Sequence, residues 1–233
     1  MSNKVFKIKN RLQINSDEFY LDPNSADVNF VFGIGTDHVE YVPAHRIILS
    51  VGSSVFDTMF NGSLPEKSDI SIGDTSAAVF KEFLQLFYLN KVQLSPEHIA
   101  DVINLCKMYE MAEALKICEA ALQSLLIIDD MCFGYALAIL YDLTSTIEFC
   151  EQEIVQNARK IFCSASFLEC NRNMVDRIIQ LVKTKLELLI GLDLVIAEAY
   201  MDWAKAECGR KNLEETLANL KAQLGPSFSY SML

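Results

Sequence analysis

The side chains best able to do chemistry in this 233-residue sequence are three histidines, His38, His45 and His98, and seven cysteines, Cys106, Cys118, Cys132, Cys150, Cys163, Cys170 and Cys208. An imidazole next to a thiol or hydroxyl can activate a nucleophile. Cysteine and histidine pairs a few residues apart can hold structural zinc. Neither arrangement occurs along the chain. There is no Cys-x-x-Cys pair, and no histidine falls at zinc spacing from a cysteine. Gly33-Ile34-Gly35 lacks the third glycine of a dinucleotide-binding loop, and no Walker sequence is present. His38 sits in a turn-bearing segment and His98 at a helix start, both surface positions. The expected chemistry is non-catalytic, with no cofactor and no metal.

The elements that would position these groups change character along the chain. Asp27 to Phe32 and His38 to Val42 are β-branched and aromatic runs around the Gly33–Asp37 turn, which predicts a hairpin. Ile70-Ser71-Ile72 reads as a brief third strand. Helical spacing then takes over, with Val55, Phe56, Met59 and Phe60 on one face and Phe80, Phe83, Leu84 and Phe87 on another. Ser95-Pro96 has the form of a cap before a first-turn proline. The second half is helical throughout. Ser145 and Glu148 have capping-box spacing. Val175, Ile178, Ile179, Val182, Leu186 and Leu189 form one stripe, and Ile196, Tyr200, Trp203 and Ala204 another. Asn212 with Glu215 is expected to open the last helix, whose stripe is Leu213, Leu217, Leu220 and Leu224, and Gly225-Pro226 to stop it. Trp203, the single tryptophan, is the expected anchor of this half.

Composition limits the partners. A formal net charge of −11 repels phosphate backbones and anionic lipid, so neither nucleic acid nor membrane is an expected partner. The odd cysteine count, set in apolar helical patterns, points to reduced thiols in the cytoplasm, the nucleus or both. Glu187, Gly191, Asp193, Glu198 and Asp202 interrupt the most apolar stretch.

Five phrases in order carry a family resemblance. They are Asp27-Val-Asn-Phe-Val-Phe32, Val42-Pro-Ala-His-Arg-Ile-Ile-Leu-Ser50, Ser53-Ser-Val-Phe-Asp-Thr-Met-Phe60, Ile70-Ser-Ile-Gly-Asp74 and Phe80-Lys-Glu-Phe-Leu-Gln-Leu-Phe-Tyr88. Together they resemble the BTB (POZ) domain. The phrase from Leu192 to Leu213 around Trp203 resembles the BACK segment of the BTBD group of BTB-BACK proteins, without that group's β-rich PHR domain. The resemblance implies an α+β BTB domain of short strands packed with helices, followed by an all-α BACK-type segment. The expected limits are an N-terminal segment at 1–15, the BTB domain at 16–122, the helical domain at 123–226 and a tail at 227–233.

The function the resemblance implies is an adaptor. Such a protein homodimerises through its BTB domain and recruits cullin-3 as the substrate receptor of a ubiquitin ligase, with an unidentified protein substrate. Family members that bind cullin carry a hydrophobic-x-Glu triplet in the loop after a helix, matched here by Leu64-Pro65-Glu66. Tyr88 falls where the family often has a tyrosine near the cullin surface. Asp27 and Arg46 match a charged pair lining the dimer groove, and His45 matches a packing histidine. The rival reading is a BTB oligomerisation scaffold or transcription co-regulator with no cullin binding.

Overall fold

The computed structural model of the chain describes residues 5–7, 16–35, 37–66, 69–187 and 190–225. Most of the expected N-terminal segment and tail, together with Leu189 of the predicted stripe, lie outside the described residues. The chain divides into two compact units after Ser124. The sequence reading places this boundary between residues 122 and 123.

The first unit is α+β. Strand β1 (Val5–Lys7), which the sequence pattern did not reveal, comes before a 3-10 turn at Ser16–Phe19 and strands β2 (Val28–Phe32) and β3 (Glu40–Ala44). These last two form the predicted hairpin, antiparallel from Val28 opposite Ala44 to Phe32 opposite Glu40. Gly33 and Gly35 take positive φ in the turn, where a Cβ would be strained. Helices α1 (Arg46–Gly52) and α2 (Ser54–Asn61) come next. Strand β4 (Ile70–Ser71) then pairs parallel to β2, which becomes the middle strand of three. Helix α3 (Ala77–Tyr88) is followed by β5 (Lys91–Gln93), antiparallel to β1. Helices α4 (Ile99–Met108) and α5 (Ala112–Leu125) complete the unit.

Caps and aromatic packing set this arrangement. Ser76 caps α3 by accepting from Val79 N–H at 3.3 Å. Ser53 caps α2 by accepting from Phe56 N–H at 3.2 Å, and its hydroxyl donates to the Tyr109 carbonyl at 2.7 Å. Helix α3 buries residues on nearly every side, including Phe80, Phe83, Leu84, Phe87 and Tyr88, so it is the central element. Phe56 stacks on Tyr109 at 4.2 Å between centroids, and Phe30 meets Phe80 at 4.6 Å. Helix α1 comes so close to α3 that a Cβ on Gly52 would stand 2.6 Å from the Phe87 ring.

The second unit is helical among its described residues. After a 3-10 turn at Ile128–Asp130 come α6 (Met131–Leu140), α7 (Thr144–Gln156), α8 (Ala158–Phe162), α9 (Ala165–Leu168), α10 (Arg172–Lys185), α11 (Leu192–Arg210) and α12 (Leu217–Leu224). Its core gathers Val175, Ile178, Ile179, Val182, Ile196 and Trp203, residues of the two predicted stripes.

Several element ends differ from expectation. Ser95 does not cap α4; its hydroxyl and N–H both donate to the Glu82 carboxylate, Pro96 sits in a turn, and the helix starts at Ile99. Helix α7 starts at Thr144, which puts Ser145 inside its first turn. Asn212 does not open the last helix. It takes φ 52° and closes α11, with Leu213 N–H donating back to the Cys208 carbonyl at 2.9 Å. Thr216 caps α12 instead, and Leu213 and Leu217 are exposed, so the stripe narrows to Leu220 and Leu224.

Trp203 is 2% exposed, and its indole N–H donates to the Cys170 carbonyl at 2.8 Å. Trp203→Ala should cost about 3–5 kcal/mol through the cavity it leaves. Chemical denaturation followed by circular dichroism checks this, and an unchanged midpoint would contradict the anchoring role.

Candidate protein-interaction site

The site is built from the start of α1 and the loop after α2. Helix α1 has no side-chain cap of its own, and His45, just before it, is fixed from elsewhere. The Tyr88 hydroxyl accepts from His45 N–H at 2.8 Å and lies 3.1 Å from His45 Nδ1. On the other side of the ring, Nε2 lies 3.0 Å from Ser25 Oγ, whose hydroxyl donates to Asp22 at 2.5 Å. One proton arrangement satisfies the whole row. Ser25 gives its proton to Asp22 and accepts from His45 Nε2–H, which leaves Nδ1 to accept from Tyr88. The Ser25 bond also holds the Asp22 carboxyl below its ordinary value.

Arg46, next in the chain, carries this order to the surface. Its N–H donates to Asp27 Oδ1 at 2.7 Å, its Nε to the Asp27 carbonyl at 3.3 Å and its Nη1 to the Glu66 carbonyl at 2.5 Å. The guanidinium lies over the Phe60 ring, 4.8 Å from the centroid. Glu66 N–H donates to the Met59 carbonyl at 2.9 Å. The loop is thus held by its backbone at Glu66, while Leu64 stands 91% exposed. Pro65 and the Glu66 side chain are also exposed.

Two of the expected assignments look different in this light. Asp27 and Arg46 do meet, but the carboxylate binds a backbone N–H and the guanidinium binds carbonyls, all within one chain. Tyr88 is 0% exposed. The expectation that it touches cullin is therefore corrected: a fully buried side chain packed against the Tyr20 and His45 rings has no surface to offer, and its hydroxyl bonds His45. Tyr88 positions the site without being part of its face. His45 is buried, as a packing histidine would be.

Sequence reasoning missed Ile47 and Val51, which are 69% and 74% exposed one turn apart on α1. The signal was available. Arg46-Ile-Ile-Leu-Ser-Val-Gly52 is apolar on more sides than one buried face can use, and Leu49 alone is fully buried.

Residues 18–126 match the family model for the BTB/POZ domain. This part of the chain is a BTB/POZ domain. BTB domains mediate protein–protein interactions and dimerisation, and members of the family are typically non-enzymatic. The chain is 29% identical over 225 residues to zebrafish BTB/POZ domain-containing protein 6-A, covering 96% of this chain and 39% of that protein. It is 32% identical over 201 residues to mouse BTB/POZ domain-containing protein 6, covering 86% and 36% respectively. The chain thus spans well under half the length of these relatives, and the likeness runs beyond the BTB domain into the helical unit. The solved BTB domain of zebrafish PATZ1 aligns with 50% of this chain and 98% of its own, at 20% identity and a TM-score of 0.38.

Tyr88→Phe tests how the BTB domain holds its site. Removing the hydroxyl leaves His45 N–H and Nδ1 without their buried partner, at a cost of about 1–3 kcal/mol. Equilibrium unfolding should show the loss, and amide exchange should rise at the start of α1. Unchanged exchange at His45 and Arg46 would mean that another contact sets the helix.

Proposed function

We propose that this chain is a non-catalytic adaptor that homodimerises through its BTB domain and presents the Leu64-Pro65-Glu66 loop to cullin-3, as a substrate-receptor subunit of a ubiquitin ligase in the cytoplasm or nucleus. The observation that carries the reading is Leu64, a leucine 91% exposed on a loop whose backbone is tied down at Glu66. An apolar side chain held out on a fixed support loses little freedom on binding, which is how a central anchor gains affinity. Glu66 sets register through its free carboxylate. The adaptor makes no covalent bond. It raises the concentration of a substrate near a loaded enzyme, and the BACK-type helical unit offers surface for that substrate.

The homodimer part of the proposal rests on Ile47 and Val51. Two large aliphatic side chains one turn apart suit a two-fold contact in which α1 meets its copy. Asp27 and Arg46, exposed and partly exposed, sit at the N-terminal end of the same helix and can line the rim of that groove while keeping their bonds within the chain.

Leu64→Ala combined with Glu66→Ala should lower cullin-3 affinity by about 2 kcal/mol or more, roughly thirtyfold, with fold and dimer mass unchanged. Calorimetric titration with the N-terminal domain of cullin-3 measures it. A parent chain with no affinity would favour the scaffold reading, in which the BTB domain oligomerises without cullin. Separately, Ile47→Glu with Val51→Glu should give a monomer by light scattering at micromolar concentration, where the parent is a dimer. A parent that is monomeric there would end the dimer proposal.

A further inference from the structure

Six hydroxyl side chains stand three residues before a carboxylate in the sequence: Ser54, Ser63, Ser71, Ser145, Ser166 and Thr184. Acidic-directed serine/threonine kinases choose their acceptors by that spacing, reading the carboxylate with basic side chains. The spacing alone is common. A kinase also takes the residues around the acceptor in extended form, which a helix or a paired strand supplies only by unfolding locally.

The fold separates the six. Ser54 opens α2, and its hydroxyl donates to the Glu110 carboxylate at 2.6 Å. Ser71 is paired with Val31 in the sheet. Ser145, Ser166 and Thr184 lie in α7, α9 and α10. Ser63 is the one of the six outside helix and strand. It is exposed, and its hydroxyl has no hydrogen-bond partner among the described residues. The Glu66 side chain that marks it is exposed as well, and the loop is fixed through the Glu66 main chain, so nothing that holds it has to break for Ser63 to be reached.

We infer that Ser63 is a phosphorylation site for an acidic-directed kinase, and that its phosphate turns off the face that the Leu64 loop offers to cullin-3. The site rests on the fold; the consequence rests on the adaptor reading above. In the transfer, Ser63 Oγ bonds to the terminal phosphorus of ATP, the bond from that phosphorus to the bridging oxygen breaks to leave ADP, and the hydroxyl proton goes to the kinase's base. The product is an ester close to dianionic at neutral pH. Three features of its position oppose binding. It follows Asn61 and Gly62 at the C-terminal end of α2, where negative charge opposes the helix dipole. It adds to the charge of the nearby Glu66 carboxylate in a chain whose formal net charge is already −11. It also adjoins Leu64, whose apolar surface must shed water to fill a pocket, and a phosphate holds water there.

The test incubates the whole chain with casein kinase 2, an acidic-directed enzyme, and magnesium ATP, maps phosphopeptides by mass, and titrates the product with the N-terminal domain of cullin-3. The first phosphate is expected on Ser63. Cullin-3 affinity should then fall by roughly tenfold or more, through like charge and retained water at the anchor, and a phosphatase should restore it. Ser63→Ala, treated in the same way, should keep the affinity it had before treatment. A first phosphate on any of the other five hydroxyls with Ser63 left bare would overturn the site. A parent that binds cullin-3 equally well with and without phosphate on Ser63 would overturn the switch and leave the adaptor reading standing. A parent with no cullin-3 affinity in either state would end the adaptor reading and the switch together.

Discussion

A single buried hydroxyl governs the geometry of the first unit. Tyr88 ends the central helix α3, and its oxygen both accepts from the His45 backbone and faces the His45 ring. A buried polar group of this kind is costly when unpaired and directional when paired, so it admits one position for its partner. That position is the residue before α1. Once His45 is placed, Arg46 is placed too, and its guanidinium reaches the Glu66 carbonyl and so the loop that carries Leu64. The path from the middle of the core to the most exposed leucine among the described residues of this unit runs through two hydrogen bonds, joined by the His45–Arg46 peptide bond.

Both units use arginine in the same way. Arg46 spends its donors on the carbonyls of Asp27 and Glu66 and lies over Phe60. In the helical unit Arg172 donates to the Gln223 and Leu224 carbonyls at the end of α12, chelates Asp176 through Nε and faces the rings of Tyr200 and Trp203. A planar guanidinium with five donors can satisfy unpaired helix and loop carbonyls while covering an aromatic face, which an ammonium cannot do. In a chain with net charge −11 these arginines act on the backbone more than on the abundant carboxylates.

Much of this was readable in the sequence where the signal is local. The hairpin follows from alternation around Gly33 and Gly35, α2 and α3 from helical apolar spacing, and the core role of Trp203 from its shared face with Ile196. What could not be read depends on partners distant in sequence or on main-chain atoms. The fate of Tyr88 depends on His45, 43 residues away, and a tyrosine closing an apolar helix suits core or surface equally until that partner is known. Asp27 and Arg46 read as a charged pair by residue type, but each of their bonds uses a backbone group that residue type does not index. Asn212 fits a helix start and a left-handed helix stop with the same side chain, and the Cys208 carbonyl decides between them. The strand at Val5–Lys7 shows itself only through its pairing with Lys91–Gln93.

The loop that carries Leu64 hangs from main-chain atoms: the Glu66 N–H is bound to Met59 and the Glu66 carbonyl to Arg46. Neither bond uses the side chain of residue 63, 64, 65 or 66. Its path is therefore indifferent to most substitutions at those positions, while the surface it displays is made wholly of them. A lineage can rewrite what this loop recognises one residue at a time, without first having to rebuild the support that holds it.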